Sequence, residues 1–512
     1  MRASEAWLQA VFQRIDVTPS YPVSLLGYFN DRVCEGVLDP LYCRLAAFRD
    51  LSARRQRRVS RRSSAESLRR LLLVQIDTCL FDQAFAWALR RALRAREHGA
   101  WDEREVLVYA SHTHTAPALA RLYEAPRQER YAVELVARIA EAAGAAVRAL
   151  SFAPAPSAAH GPARRSGGPA AAVRAQAVAV SVARGSADGL SFNRRWLGPD
   201  GKTVTNPSRA QRARLAGPEG PVDPEVLTLW FRDAGGAPRA AFVSAVNHTD
   251  TVGGQRISAD WPGVLEREVG TALGAELPVF FLPGAQGNVN HFDPQAERDQ
   301  TCPEEALRLG RAYAEIVLAC LPAARPLPPP RGPALGSLLR RVRLPGRPIP
   351  PGQLQAARAL LAEAAGQSGP GTLTASELAA GSPQVARLLA RELLRQAPER
   401  RRSYRVPLQA VRLGSVLLCA IPGEPFVELG LALKNSGGGP AWRLSAVQAR
   451  SDGAGVPLVL PLGLAGGYYG YILPGERLPA GGYEALPGSG RLGGAAAAMI
   501  VEHFRRAARR LP

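Results

Sequence analysis

The stretch LLLVQIDTCLFDQAFAWALRRALRAREHGAWDEREVLVYASHTHTAP (71–117) decides the architecture. LLLVQID (71–77) is a short apolar run of strand length. DQAFAWALRRALRAREH (82–98) changes to helical apolar spacing, and VLVYAS (106–111) returns to strand character. Outward from this unit the alternation continues. RYAVELVARIAEAAGAAVRAL (130–150) reads as a helix. AAFVSAVN (240–247), LPVFFL (277–282) and VLLCAI (416–421) read as strands. QLQAARALLAEAA (353–365) and GGAAAAMIVEHFRRAARRL (493–511) read as helices. The expected class is α+β (mixed α/β), a single large domain with β-sheets flanked by helices. No internal repeat and no clean domain boundary interrupts it. SARRQRRVSRRSSAESLRR (52–70) and PAPSAAHGPARRSGGPA (153–169) read as loops or insertions, and PLPPPRG (326–332) as a linker.

Composition narrows the function. The 512 residues are 46% hydrophobic, which excludes a disordered chain. The net charge of +20 would suit a nucleic acid or an anionic surface. Yet Lys occurs only at Lys202 and Lys434, and the Arg, Ala, Gly and Pro content reads as a compositional bias. No nucleic-acid motif accompanies the charge, so no nucleic-acid partner is expected. The six cysteines form no C-x-x-C pair, and Cys79, Cys320 and Cys419 lie in apolar runs that read as core. No segment is long and apolar enough to be read as membrane-spanning. Glu5, Gln9 and Gln13 interrupt any signal-peptide core, so the chain as written reads as cytoplasmic, or as exported if its true start lies further upstream.

Chemistry-bearing residues gather at strand ends. Alternation along 106–114 places His112 and His114 on one face, at the end of a strand. Such a pair suits metal binding or acid–base work, or two histidines bonded to backbone. His248 ends AAFVSAVN. Glu424 follows VLLCAI, with Pro425 expected to open the helix PFVELGLALK and Glu424 near its N-cap. Two histidines and a carboxylate with one open position form a ligand set known from catalytic zinc sites. Mn or Fe would also accept it. Asp77 and Asp260 are candidates for orienting the histidines, or ordinary turn residues.

Several segments together resemble the catalytic domain of the neutral/alkaline (non-lysosomal) ceramidases. These are YPVSLLGYFNDRVCEGVLDPLYCRLAAF (21–48), SHTHTAP (111–117), SFNRRW (191–196), VNHTDTVGGQRISADWPGVLE (246–266), LPGAQGNVN (282–290), IPGEPFVELG (421–430) and YYGYILPGERLPAGGYE (468–484). They fall in family order, and the resemblance spans residues 14–512. It implies one Zn²⁺ per chain held by His112, His248, Glu424 and Tyr471. It implies His114 as the acid–base residue, with Tyr483 and Arg194 on the substrate carbonyl or head group. The implied substrate is a small-molecule or lipid-like acylated compound cleaved at an amide or ester bond. Asn290 stands where the ceramidases carry serine, and there it could donate a hydrogen bond to substrate. Thr249 stands where relatives often have proline. The family's immunoglobulin-like C-terminal domain has no counterpart after the tyrosine motif. These departures point to a ceramidase-like zinc hydrolase that is not a true ceramidase. The competing readings are a non-catalytic metal- or lipid-binding protein on the same fold and a basic nucleic-acid-binding protein.

Overall fold

The computed structural model describes residues 6–52, 67–95, 100–152, 173–293, 295–330, 332–363, 373, 377, 379, 381–435 and 458–511. The 153–169 segment and most of the 52–70 segment lie outside the described residues. Eight strands follow one another along the chain into the larger sheet: β1 (Leu8–Asp16), β2 (Tyr42–Asp50), β3 (Arg70–Ile76), β4 (Val106–Ala110), β5 (Gln176–Ser186), β6 (Glu225–Arg232), β7 (Pro238–Ala245) and β8 (Val279–Pro283). They pair in the order β8-β7-β6-β5-β1-β2-β3-β4, and Arg325–Pro326 adds a short strand beside β5. That pairing, and the bond from Leu327 N–H to Val180 O, tie the expected linker to the sheet. A smaller sheet orders β9 (Leu335–Pro345), β10 (Ser403–Leu413), β11 (Val416–Ala420) and β12 (Leu458–Leu462) consecutively, with Ser67–Leu68 beside β9.

Period-two alternation decides which face each side chain serves. Leu71, Leu73, Leu107, Tyr109, Phe231, Phe242 and Phe280 of the larger sheet pack against Val411, Leu413, Leu418, Leu460 and Leu462 of the smaller one. On the opposite face of the larger sheet, Leu72, Val74, Val106 and Val108 meet helices α1 (Gln83–Arg94) and α2 (Glu129–Phe152). Further along that face, Trp230, Ala241, Val243 and Phe281 meet α3 (Asp260–Ala272) and α4 (Pro303–Ala319). Further helices are α5 (Pro351–Glu363), α6 (Pro383–Gln396), α7 (Val427–Lys434) and α8 (Ala496–Arg510), and Arg209–Arg212 forms a single helical turn. Of these, α7 and α8 cover the outer face of the smaller sheet through Leu429, Leu433, Ile500 and Phe504. The molecule is thus helix, sheet, sheet, helix in layers, the mixed single-domain architecture expected. Cys79 and Cys419 are buried as expected, whereas Cys320 is only partly so.

Three strand–helix–strand crossovers organise the site. The pairs β3/β4, β7/β8 and β11/β12 are parallel, with α1, α3 and α7 between their members. A parallel pair sends the chain across the sheet through its helix and leaves both C-terminal ends on one edge. Backbone bonds staple those ends together: Ala110 N–H to Leu464 O at 3.2 Å, Gly463 N–H to Pro283 O at 2.9 Å, and Ile421 N–H to Leu462 O at 2.8 Å. Ligands in open α/β sheets bind at such carboxyl-terminal edges.

Candidate metal centre

His112, His248 and Glu424 converge where the stapled ends meet, and all three are buried. Their Nε2 and Oε2 atoms stand 3.1 Å (His112–His248), 3.3 Å (His112–Glu424) and 3.4 Å (His248–Glu424) apart. The local routes to this point differ from simple extrapolation. Strand β4 ends at Ala110, and His112 sits beyond it with φ 78°. A left-handed residue breaks the alternation, so the strand-face argument for the histidine pair fails in detail. His114 is nevertheless carried back beside His112, with its Nε2 3.3 Å from that of His112. Likewise α7 starts at Val427 with Phe426 as N-cap, so Pro425 does not open the helix. Glu424 and Pro425 instead pair in parallel with Tyr471 and Ile472, which fixes the carboxylate against the tyrosine segment.

Each imidazole is held by its far nitrogen. His112 Nδ1 lies 2.8 Å from Cys79 O, and His248 Nδ1 lies 3.1 Å from Gln286 O and from Val289 O. Carbonyls only accept, so each Nδ1 carries a hydrogen and each neutral ring turns its Nε2 lone pair inward. Two lone pairs and a carboxylate oxygen therefore face one another, and a positive charge among them would offset their repulsion. A proton on His112 is one source. Burial works against that proton, but Cys79 and Glu424 raise the His112 pKa well above its ordinary value. A metal ion is the other source. A tetrahedral ion with bonds of about 2.0–2.1 Å would space its ligand atoms by roughly 3.3 Å. The donor set fits such an ion. Burial is also the largest influence on the Glu424 carboxyl, but the two histidines outweigh it and hold the pKa well below the usual range. Tyr468 donates to Glu424 Oε1 at 2.8 Å.

Arg194 closes one side as a fixed cation. It donates to Glu484 and to Gly287 O, both at 2.8 Å, and its Nη1 lies 3.2 Å from His248 Nε2. Gly287 packs so closely that a Cβ there would fall 2.5 Å from Glu424 O, so the GAQG loop tolerates no side chain at that point. The Tyr471 ring lies 5.4 Å below the Arg194 guanidinium. The hydroxyls of Tyr123 and Tyr483 are 2.5 Å apart.

A pocket of about 360 Å³ opens from this cluster, lined by His114, Arg194, Asn206, Tyr471, Tyr483, Tyr28 and Asp250 among others. That volume sits near the lower end of the roughly 300–1,000 Å³ typical of small-molecule sites. His114 is buried, and burial followed by His112 holds its pKa well below the ordinary value, so it is neutral. Gly27, at φ 132°, makes room for it, since a Cβ there would lie 2.5 Å from the His114 ring. A larger groove, about 520 Å³, runs past Arg14, Asp39, Tyr42 and Arg267, shares no lining residue with this pocket and contains none of the candidate ligands.

The structure thus brings His112, His114, His248, Glu424, Arg194, Tyr471 and Tyr483 together. Asn290 stands one step back. It is buried, and its side chain donates to Asn206 Oδ1 at 2.9 Å, leaving Asn206 to line the pocket. Asp77 orients neither histidine, being paired with Arg44 at 2.9 Å. Asp260 accepts from Thr251 and Trp261, and Trp261 Nε1–H in turn donates to His248 O at 2.8 Å, so Asp260 braces the turn after His248. Sequence reasoning missed Tyr468, Glu484 and Asp250. Each lies within three residues of a residue it did choose, which is the signal that was available.

No protein-family model and no curated protein matches the chain. Solved structures do. The neutral ceramidase from Pseudomonas aeruginosa aligns over 99% of this chain and 75% of its own, with TM-score 0.65 and 19% identity. A ceramidase complexed with C2 aligns over 98% and 75%, with TM-score 0.63 and 17% identity. The chain has the fold of the neutral ceramidases.

Proposed function

We propose that the protein is a zinc-dependent hydrolase of an amide (N-acyl) or ester bond, ceramidase-like but not a true ceramidase. The observation that carries this reading is the 3.1–3.4 Å triangle of two inward lone pairs and a carboxylate oxygen, beside a pocket lined by their neighbours His114, Arg194 and Tyr471. His112, His248 and Glu424 would hold the ion, with Tyr471 as the fourth group implied by the motif. A zinc ion there would lower the pKa of a water towards neutrality and polarise the scissile carbonyl. Arg194 presents a permanent charge beside His248 and stabilises negative charge developing on the carbonyl oxygen. Tyr483 offers a hydroxyl to the same oxygen. His114, neutral and lining the pocket, moves a proton to the leaving nitrogen or oxygen. Asn290, through Asn206, shapes the wall rather than the reacting centre.

The basic composition does not favour a nucleic-acid partner. Arg32, Arg44, Arg194, Arg195 and Arg347 are buried and spent on internal carbonyls and carboxylates. Among the described residues no helix is long and apolar enough to cross a membrane. The test is metal content of the purified protein beside a His112→Ala/Glu424→Ala double mutant. One zinc per chain, absent from the mutant, is expected, and it directs a screen of N-acyl and ester substrates, ceramide included. A wild-type protein that stays metal-free when zinc is supplied overturns the reading.

A further inference from the structure

The pocket carries charged groups that the chemistry around Glu424 does not use. Asp250 lines it together with Glu377, Tyr28, Phe29 and Phe292. Asp250 is only 8% exposed, and its Oδ1 lies 3.2 Å from His291 Nδ1. His291 Nε2 lies 2.7 Å from Gln300 O. A carbonyl accepts only, so Nε2 carries a hydrogen. Nδ1, facing a carboxylate, carries the other. The ring stacks on Phe292, centroids 4.3 Å apart. Asp250 is therefore anchored through one oxygen by a buried imidazolium. It has no other polar partner among the described residues. Its second oxygen is open to the pocket, where a donor on a bound molecule can reach it.

The surroundings indicate which donor. Asp250 and Glu377 line the same pocket as Tyr28, whose ring already carries the Arg32 guanidinium 4.0 Å from its centroid. Phe29 and Phe292 supply further aromatic surface in the pocket wall, which suits a cation. Arg194, by contrast, lies against His248. The pocket thus has a positive group beside the reacting centre and carboxylates with aromatic rings elsewhere in its wall.

We infer that Asp250 is a specificity-determining residue that receives a cationic amine carried by the acylated substrate. The inference rests on the hydrolase reading only for the acyl half of that substrate, because binding of the amine needs no turnover. Calorimetric titration of the full chain with three short probes tests it: an N-acyl 1,2-diaminoethane, its hydroxyl analogue and its methyl analogue. A charge-assisted bond should make the amine bind wild type about tenfold more tightly than the hydroxyl analogue. In Asp250→Asn that ratio should fall to about one. In His291→Gln the carboxylate remains, so the preference for the amine should persist. Equal binding of amine and hydroxyl probes by wild type, no binding of the amine, or an unchanged ratio in Asp250→Asn overturns the inference. Cleavage is followed in the same samples. An intact preference without cleavage on any metal-loaded sample counts against the hydrolase reading alone, and cleavage without preference counts against the role of Asp250 alone.

Discussion

Arg44, Asp77 and Glu266 form one buried charged cluster, and His112, His248 and Glu424 form another. In the first, every donor meets an acceptor. Arg44 reaches both Asp77 oxygens at 2.9 Å and also Glu266, Asp77 accepts from Tyr42 N–H, and Glu266 accepts from Val279 N–H. In the second, acceptors face acceptors across 3.1–3.4 Å. The first cluster is complete with protein atoms alone and pins β2 to β3 and α3. The second has Arg194 Nη1 3.2 Å from His248 Nε2 but leaves Glu424 Oε2 without a donor, and an added positive charge would close it. Burial and charge are alike in the two, so neither distinguishes a functional cluster from a structural one. Whether the hydrogen-bonding valences close does.

The largest effect expected is at the open cluster. His248→Ala should lose bound metal and hydrolysis together while thermal unfolding stays close to that of metal-stripped wild type. Metal analysis showing full stoichiometry in the folded mutant would break the comparison. Next comes the closed cluster. Arg44→Met leaves Asp77 and Glu266 buried without their cation, and removing one partner of a buried pair costs about 3–5 kcal/mol. Urea denaturation should report that loss, with metal content per folded molecule unchanged. A loss under about 1 kcal/mol, the scale of an exposed pair, would show that Arg44 is not what closes the cluster.

A third experiment puts both clusters in one assay. Zinc at a hundredfold excess over its dissociation constant should stabilise metal-stripped wild type by about 2.7 kcal/mol. Arg44→Met should respond equally, and the His112→Ala/Glu424→Ala mutant not at all. The smallest effect concerns Asp260, which lies between the two extremes: it accepts hydrogen bonds from neutral groups and, among the described residues, forms no ion pair. Burial is the main cause that raises its pKa, from 3.8 to about 6, against those bonds. A carboxyl whose folded pKa is raised contributes stability that is present below its unfolded value and lost as pH rises through the folded one. Between pH of about 4 and 6 wild type should therefore lose melting temperature relative to Asp260→Asn. Asn tolerates the φ of 60° there. Parallel pH profiles for the two proteins would remove Asp260 from the series.

The sequence showed the first crossover and the strand ends because apolar runs such as LLLVQID and VLVYAS are local signals, but it did not show α3 or β12, which complete the other two crossovers. It hid β1 and β2, whose interleaved Arg14, Gln13 and Arg44 mask strand character. Arg44 is tolerated there only because Glu266 arrives from far along the chain. The candidate ligands were legible through residue type and family order. Their backbone routes were not, since the left-handed turn at His112 and the pairing of Glu424 with Tyr471 are set by long-range contacts. Asn290 illustrates the limit. Its place in the loop was readable, but its side chain's partner, Asn206, lies on a segment with no sequence link to it.

The three stapled crossovers also bear on how the protein is made. His112, His248 and Glu424 leave the ribosome in that order, from separate thirds of the chain. A nascent chain carries paired imidazoles long before the carboxylate that would complete their set. Under the proposed function, metal would therefore load only late in synthesis, after β11 and β12 have joined the earlier strands. A truncated translation product that ends before the smaller sheet retains His112, His114 and His248 but not Glu424, so if the finished protein holds zinc as proposed, such fragments should separate from it by zinc retention.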